Sequence, residues 1–140
     1  MNRLVGLALV FGCLSTSSCS SGPKDKLIGR WEPVTPAAAG MRFANTVGMM
    51  EMGPTVFADS GTVTTTTKHG TFFAHFTVVD SATLEIEELG MEMDGKKTDY
   101  EKGKGGTTKT KFNFAGDQLT ITPLKEMAGL PKSVTLRRLK

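Results

Sequence analysis

The stretch from Thr62 to Glu88, TVTTTTKHGTFFAHFTVVDSATLEIEE, decides the fold of this chain. Its polarity alternates with a period of two over most of its length, which indicates half-buried β-strands rather than helices. Turn-forming pairs at His69-Gly70 and Asp80-Ser81 divide the stretch into three segments. The β-branched threonines of the first segment favour an extended backbone. We therefore expect three consecutive antiparallel strands joined by short turns.

The same period continues on both sides of this stretch. Upstream, Thr55–Ala58 and the turn at Asp59–Gly61 predict another hairpin. After Glu88 the apolar positions slip by one residue, which predicts a β-bulge or a turn there. Seven to nine short strands, with turns about every ten residues, predict an all-β fold: an antiparallel up-and-down barrel or a sandwich. The remaining strands are expected at 112–114, 119–121 and 133–139.

The start of the domain departs from this period-two alternation. Leu27–Val34 is predicted to be the first strand, which Pro33 ends. The following segment, Pro36–Met52, is rich in Ala and Met and steps at helical spacing from a proline, a residue common at helix starts. Its glycines, Gly40 and Gly48, weaken a helix. We expect a short helix or an ordered loop inserted after strand one.

The N-terminus has the three-part pattern of a secretory signal. Arg3 supplies a positive charge, Leu4–Leu14 is an apolar run, and small polar residues follow. The run is too short for a membrane-spanning helix, which needs roughly 20 apolar residues. Simple cleavage after small residues near Ser18 would leave a free soluble protein. Alternatively, the segment resembles a bacterial lipoprotein signal, in which small residues precede a Cys that becomes the N-terminus and carries acyl chains such as palmitate. Cys19, after Thr16-Ser17-Ser18, is the favoured lipidation site, and Cys13 is the alternative.

This resemblance implies a domain organisation and a location. Residues 1–18 would be the signal peptide, 19–26 a flexible tether and 27–140 the β domain. The lipid would hold the protein on the bacterial cell envelope, and Ser20 after the Cys points to the outer membrane if the host is Gram-negative. Both cysteines of the chain lie in the N-terminal segment, so the β domain contains no disulfide and depends on its core.

The sequence Lys26–Glu32, KLIGRWE, carries a second resemblance. Its Gly-x-Trp resembles the opening strand of lipocalin-like (calycin-type) small bacterial lipoproteins. The order and spacing of the later strands also resemble those of this family. The resemblance implies that Trp31 closes one end of a barrel and that an Arg near the C-terminus stacks on it. Arg138 shares its parity with inward-facing neighbours and is favoured, with Arg137 as the rival. The predicted structural residues are Gly29, Trp31 and Arg138.

The polar residues form no recognisable catalytic pattern. A hydrolytic triad needs a nucleophile, a base and an orienting acid, and the two histidines, His69 and His75, are about 20 Å apart if they share one strand. Alternation places Glu85 and Glu87 on a solvated face. The turn at 94–99 and the glycine-rich stretch at 103–108 lack metal-loop and phosphate-loop spacing. We expect no enzyme activity, no cofactor and no metal, and a net charge of +3 is too small to predict a nucleic-acid partner.

Methionine and phenylalanine are the one hint of a ligand. Methionine adapts to irregular apolar shapes, and an eight-stranded barrel is just wide enough to be filled by side chains or to hold one small molecule. Two functions remain. The protein is a non-catalytic, lipid-anchored envelope protein that binds a small apolar ligand in its barrel, or it has a solid core and contacts another envelope protein through Pro36–Met52 or a lysine-rich loop. The candidate ligand-lining residues are Phe43, Met50, Phe57, Phe72, Phe76 and Met91.

Overall fold

The computed structural model describes residues 22–34, 38–43, 46–125 and 132–140, and for 38–43 and 46–52 it describes the backbone alone. These residues form one short helix and ten strands. In chain order they are α1 Pro23–Leu27, β1 Gly29–Pro33, β2 Ala38–Phe43, β3 Thr46–Phe57, β4 Thr62–Thr67, β5 Gly70–Asp80, β6 Thr83–Met93, β7 Lys96–Asp99, β8 Thr107–Ala115, β9 Gln118–Pro123 and β10 Val134–Arg138.

Eight of these strands close into an antiparallel barrel, which confirms the all-β fold class and selects the barrel over the sandwich. The strands follow the order β1-β10-β9-β8-β6-β5-β4-β3. The ring closes because β3 pairs back onto β1, with Gly29 opposite Phe57 and Trp31 opposite Thr55. We call the end that carries α1 and the turns at 58–61, 80–83 and 115–118 the lower end, and the opposite end the upper end.

The insert after strand one is a β-hairpin, so the prediction of a helix or loop there is wrong for the residues that the structure describes. β2 pairs with the first half of β3, from Ala38 opposite Glu51 to Phe43 opposite Thr46. β3 continues without a break into the barrel wall, where it pairs with β4. The weak helical spacing is overridden because β2 and the first half of β3 hydrogen-bond to each other and β3 continues as a strand of the barrel wall.

The one helix among the described residues lies before strand one, in the segment predicted to be a tether. α1 begins at Pro23, a proline suited to a first helical turn, and its last residue, Leu27, is fully buried. Residues 23–26, which the sequence assigned to the tether, are therefore helical. The predicted signal peptide and Cys19 lie outside the described residues. Among the described residues, no helix is long and apolar enough to cross a membrane.

A β-bulge interrupts β6 where the sequence predicted one. Ala74 pairs with Glu88 and Phe73 with Gly90, so Leu89 has no partner in the ladder of β5. This extra residue shifts the register by one. As a result Met91 joins the inward-facing side of β6, opposite Phe72.

The core occupies the lower half of the barrel. Each of the eight barrel strands contributes an inward-facing side chain, and these meet Leu27 of α1 in a single cluster. Burying this apolar surface is the main stabilising contribution in a domain without disulfides. The cluster consists of Leu27, Trp31, Phe57, Val63, Phe76, Leu84, Phe112, Leu119 and Leu136.

Candidate functional site

Trp31 closes the lower end of the barrel. Its side chain is 1% exposed, and its ring lies 6.1 Å from that of Phe114, measured between centroids. Its Nε1–H donates a 2.8 Å hydrogen bond to the carbonyl of Leu27, the last residue of α1. Trp31 thus fills the lower end of the barrel and holds α1 across it.

Arg138 completes this closure from the last strand. Its Cζ lies 4.4 Å from the centroid of the Trp31 ring, a cation–π geometry. The guanidinium also donates from Nη1 to the carbonyl of Ile28, at 2.9 Å, and from Nη2 to the carbonyl of Lys26. A helix leaves its last carbonyls without partners of its own. Arg138 satisfies two carbonyls at the end of α1 and so joins helix, barrel and C-terminal strand.

Gly29 makes room for this arginine. Its φ is +137°, a conformation that favours glycine, and a Cβ there would lie 2.7 Å from Nη1 of Arg138. Arg137 points the other way and forms a 2.6 Å ion pair with Glu32 on the outside. That hydrogen bond raises the pKa of Arg137. Arg138, rather than its rival, therefore stacks on the tryptophan.

Two of the predicted ligand-lining residues belong to the core. Phe57 and Phe76 are each 2% exposed, and their rings pack edge to face, with centroids 5.1 Å apart and an angle of 82°. Such packing adds about 0.5 to 1.5 kcal/mol to the burial of the rings. Both rings pack within the core cluster and help to fill the lower half of the barrel.

Two other predicted lining residues lie nearer the upper end of the barrel. Phe72 on β5 pairs with Met91 on β6, and both face inward in the upper half of the barrel. Phe72 is buried and Met91 is half-buried. Both lie outside the core cluster of the lower half. The side chains of Phe43 and Met50 lie outside the described residues, and their backbones belong to the β2–β3 hairpin.

Three buried threonines line the interior above the core. The hydroxyls of Thr55 and Thr65 lie 3.1 Å apart and hydrogen-bond to each other. Thr110 on β8 is 5% exposed, and its Oγ1 has no hydrogen-bond partner among the described residues. A buried hydroxyl without a partner costs about 1 to 3 kcal/mol. The sequence interpretation missed these residues, although Thr110 shares the parity of Phe112 and Phe114.

A loop from β7 to β8 lies against the upper end. Its residue Tyr100 donates its backbone N–H to the carbonyl of Leu89, at 2.8 Å, and Gly106 accepts from the backbone N–H of Glu88, at 3.0 Å. The Tyr100 hydroxyl oxygen is buried and has no hydrogen-bond partner among the described residues. Burial first, and then the nearby carboxylate of Glu88, raise the pKa of Tyr100. The phenol therefore stays protonated at neutral pH and can donate a hydrogen bond.

The remaining polar candidates lie on the outside. His69 and His75 are both exposed. Within the described ranges, no group of three or more His, Cys, Asp or Glu residues is placed to hold a metal ion. Several lysines of the lysine-rich stretch form exposed ion pairs, such as Lys104 with Glu101 at 2.8 Å and Lys97 with Asp99 at 3.2 Å. Such pairs contribute little to stability.

Comparison of the sequence with family models and curated proteins identifies no relative. No protein-family model matches the chain, and no curated protein is significantly similar to it in sequence. The lipocalin-like resemblance predicted from Gly29, Trp31 and Arg138 therefore stays a prediction.

Proposed function

We propose that this protein is an exported, lipid-anchored envelope protein of the lipocalin-like kind, which binds one small, largely apolar molecule in the upper half of its barrel without catalysis. The observation that carries the proposal is the buried hydroxyl of Thr110 above a packed core, which has no hydrogen-bond partner within the described ranges. Buried polar groups in native proteins nearly always have a partner, so an orphan hydroxyl inside a barrel favours a bound molecule. Phe72 and Met91 supply apolar surface at the same end.

The position of α1 would set the orientation of a protein anchored through Cys19. Acylation of Cys19 would leave three residues, Ser20 to Gly22, between the lipidated residue and Pro23. Three extended residues span about 10 Å. Since Trp31 and Arg138 hold α1 on the lower end, the anchor would keep that end at the membrane. The upper end would then face away from the bilayer, so ligand would enter from the aqueous side.

A solid-core interaction protein is the second candidate. The observation that favours it is the β2–β3 hairpin, whose first six β3 residues, Thr46–Glu51, pair with β2 beyond the ring of barrel strands. A two-stranded ribbon has unpaired backbone groups along its edges, which can add to a sheet of another protein. In that case the partner would be a second envelope protein rather than a small molecule.

Native mass spectrometry of the protein, extracted gently from its host membrane, tests the proposal. A denatured mass equal to residues 19–140 plus acyl chains supports the anchor at Cys19, and Cys19→Ala should abolish it. An additional small mass that is lost on denaturation supports the carrier function. A native mass without a small molecule, together with a co-purifying protein, would favour the second candidate.

A further inference from the structure

In the proposed ligand site, the polar group nearest the core is the hydroxyl of Thr110. Thr110 faces inward on β8, one inward step above Phe112 of the core. It pairs with Leu84 on one side and with Pro123 on the other, neither of which has a side-chain hydrogen-bonding group. A molecule that enters from the upper end and stops at the core would therefore place its leading group beside the Thr110 hydroxyl.

The neighbouring hydroxyls show that Thr110 differs from the other buried threonines. Thr55 and Thr65 satisfy each other at 3.1 Å, so they need no ligand. Thr110 faces the same interior and has no hydrogen-bond partner among the described residues. Higher up, the Tyr100 hydroxyl is also buried without a partner in that part of the chain. Thr110 and Tyr100 both offer hydroxyls, which can donate and accept hydrogen bonds.

We propose that the ligand is an uncharged amphiphile that binds head first, with a hydroxyl or amide head group hydrogen-bonded to Thr110 Oγ1 and an apolar tail directed toward Phe72 and Met91. The inference rests on the proposed ligand-binding function and adds the chemical class of the ligand to it. The head group is uncharged because an ion buried beside Leu84 and Phe112 would need an opposite charge, whereas Thr110 offers a neutral hydroxyl. The tail is short, because the strand rises by about 10 Å between Thr110 and Thr107, where β8 begins.

Equilibrium dialysis with radiolabelled probes tests this assignment. The full mature lipoprotein in lipid nanodiscs is dialysed against 1-octanol, octanoate or n-octane, and empty nanodiscs measure partition into lipid. We expect 1-octanol to bind roughly ten times more tightly than octanoate or n-octane, the ratio typical of one net hydrogen bond. Thr110→Val, which keeps the shape and removes the hydroxyl, should reduce 1-octanol affinity about tenfold and leave n-octane affinity unchanged.

Two further variants separate recognition from folding. Thr110→Ser restores the hydroxyl and should restore the preference for 1-octanol. Thr107→Val lies on the same strand with an exposed side chain and should change nothing. Equal binding of 1-octanol, octanoate and n-octane, or an unchanged preference in Thr110→Val, would overturn the head-group assignment alone. Binding of none of the three probes would overturn both the assignment and the ligand-binding function.

Discussion

The guanidinium of Arg138 lies over the ring of Trp31, with Cζ 4.4 Å from the ring centroid, and joins the first and last strands of the barrel. The residues are paired neighbours on β1 and β10 although 106 positions separate them in the chain. Both also hydrogen-bond to carbonyls at the end of α1. This cluster therefore closes the lower end of the barrel and holds α1 against it.

Arg138→Ala should lower the free energy of unfolding by about 2 to 4 kcal/mol, since it removes a cation–π contact and two charged hydrogen bonds. Urea denaturation followed by the fluorescence of Trp31, the single tryptophan, measures the change. Arg137→Ala is the matched control. Its ion pair with Glu32 is on the outside, so its loss should have a much smaller effect. Equal losses in the two variants would contradict the role given to Arg138.

Gly29→Ala should displace Arg138 from the tryptophan. The new Cβ would lie 2.7 Å from Nη1, and φ at this position is +137°. We expect a loss of stability and a red shift of Trp31 emission as water reaches the ring. Gly116→Ala is the control, because φ there is +63° and its added Cβ would meet no atom within 4 Å. That variant should show backbone strain of about 1 to 2 kcal/mol without the spectral shift.

Thr55 and Thr65 should be strongly coupled in a double-mutant cycle. Each single valine variant leaves the other hydroxyl buried without its 3.1 Å partner, at a cost of about 1 to 3 kcal/mol. The double variant removes both polar groups and should be close to wild type in stability. Denaturation midpoints of the four proteins provide the coupling energy. Additive losses would mean that the two hydroxyls do not depend on each other.

Tyr100 should ionise above the usual tyrosine pKa of 10.0, because burial and the Glu88 carboxylate disfavour the phenolate. It is the single tyrosine of the chain, so absorbance near 295 nm follows it alone. Since the unfolded chain ionises first, the contribution of Tyr100 to stability should be constant below pH 10 and fall as the pH rises from about 10 through the folded pKa. Glu88→Gln should lower the pKa only in part, because burial is the larger cause. A midpoint at 10 in the folded protein would contradict the burial of this hydroxyl.

The lower end of the barrel should lie at the membrane. Fluorophores on Ser81→Cys, in a lower-end turn, and on Lys102→Cys, in the upper-end loop, report the orientation in vesicles that contain nitroxide lipids. We expect stronger quenching at position 81, because the short segment after Cys19 leads directly into α1. Stronger quenching at position 102 would invert the proposed orientation.

The local features of the fold were predictable from the sequence. Period-two alternation gave the inward faces of β4 to β6, and the slip after Glu88 predicted the bulge that leaves Leu89 without a partner in the β5 ladder. The parity of Arg138 also distinguished it from Arg137. These predictions succeed because strand periodicity and turn chemistry depend on neighbouring residues. The β2–β3 hairpin was missed because its pairing overrode a weak helical spacing.

The sequence by itself therefore determined the all-β class, the strand faces and the bulge, because each depends on a pattern within a few residues. The tertiary structure alone decided the closure of the ring through Gly29 and Phe57 and the contact of α1 with Arg138. It also decided that Thr55 has a hydroxyl partner whereas Thr110 has none among the described residues. Those features depend on which distant side chains meet inside the barrel. Whether a buried hydroxyl finds a partner is a property of that three-dimensional arrangement.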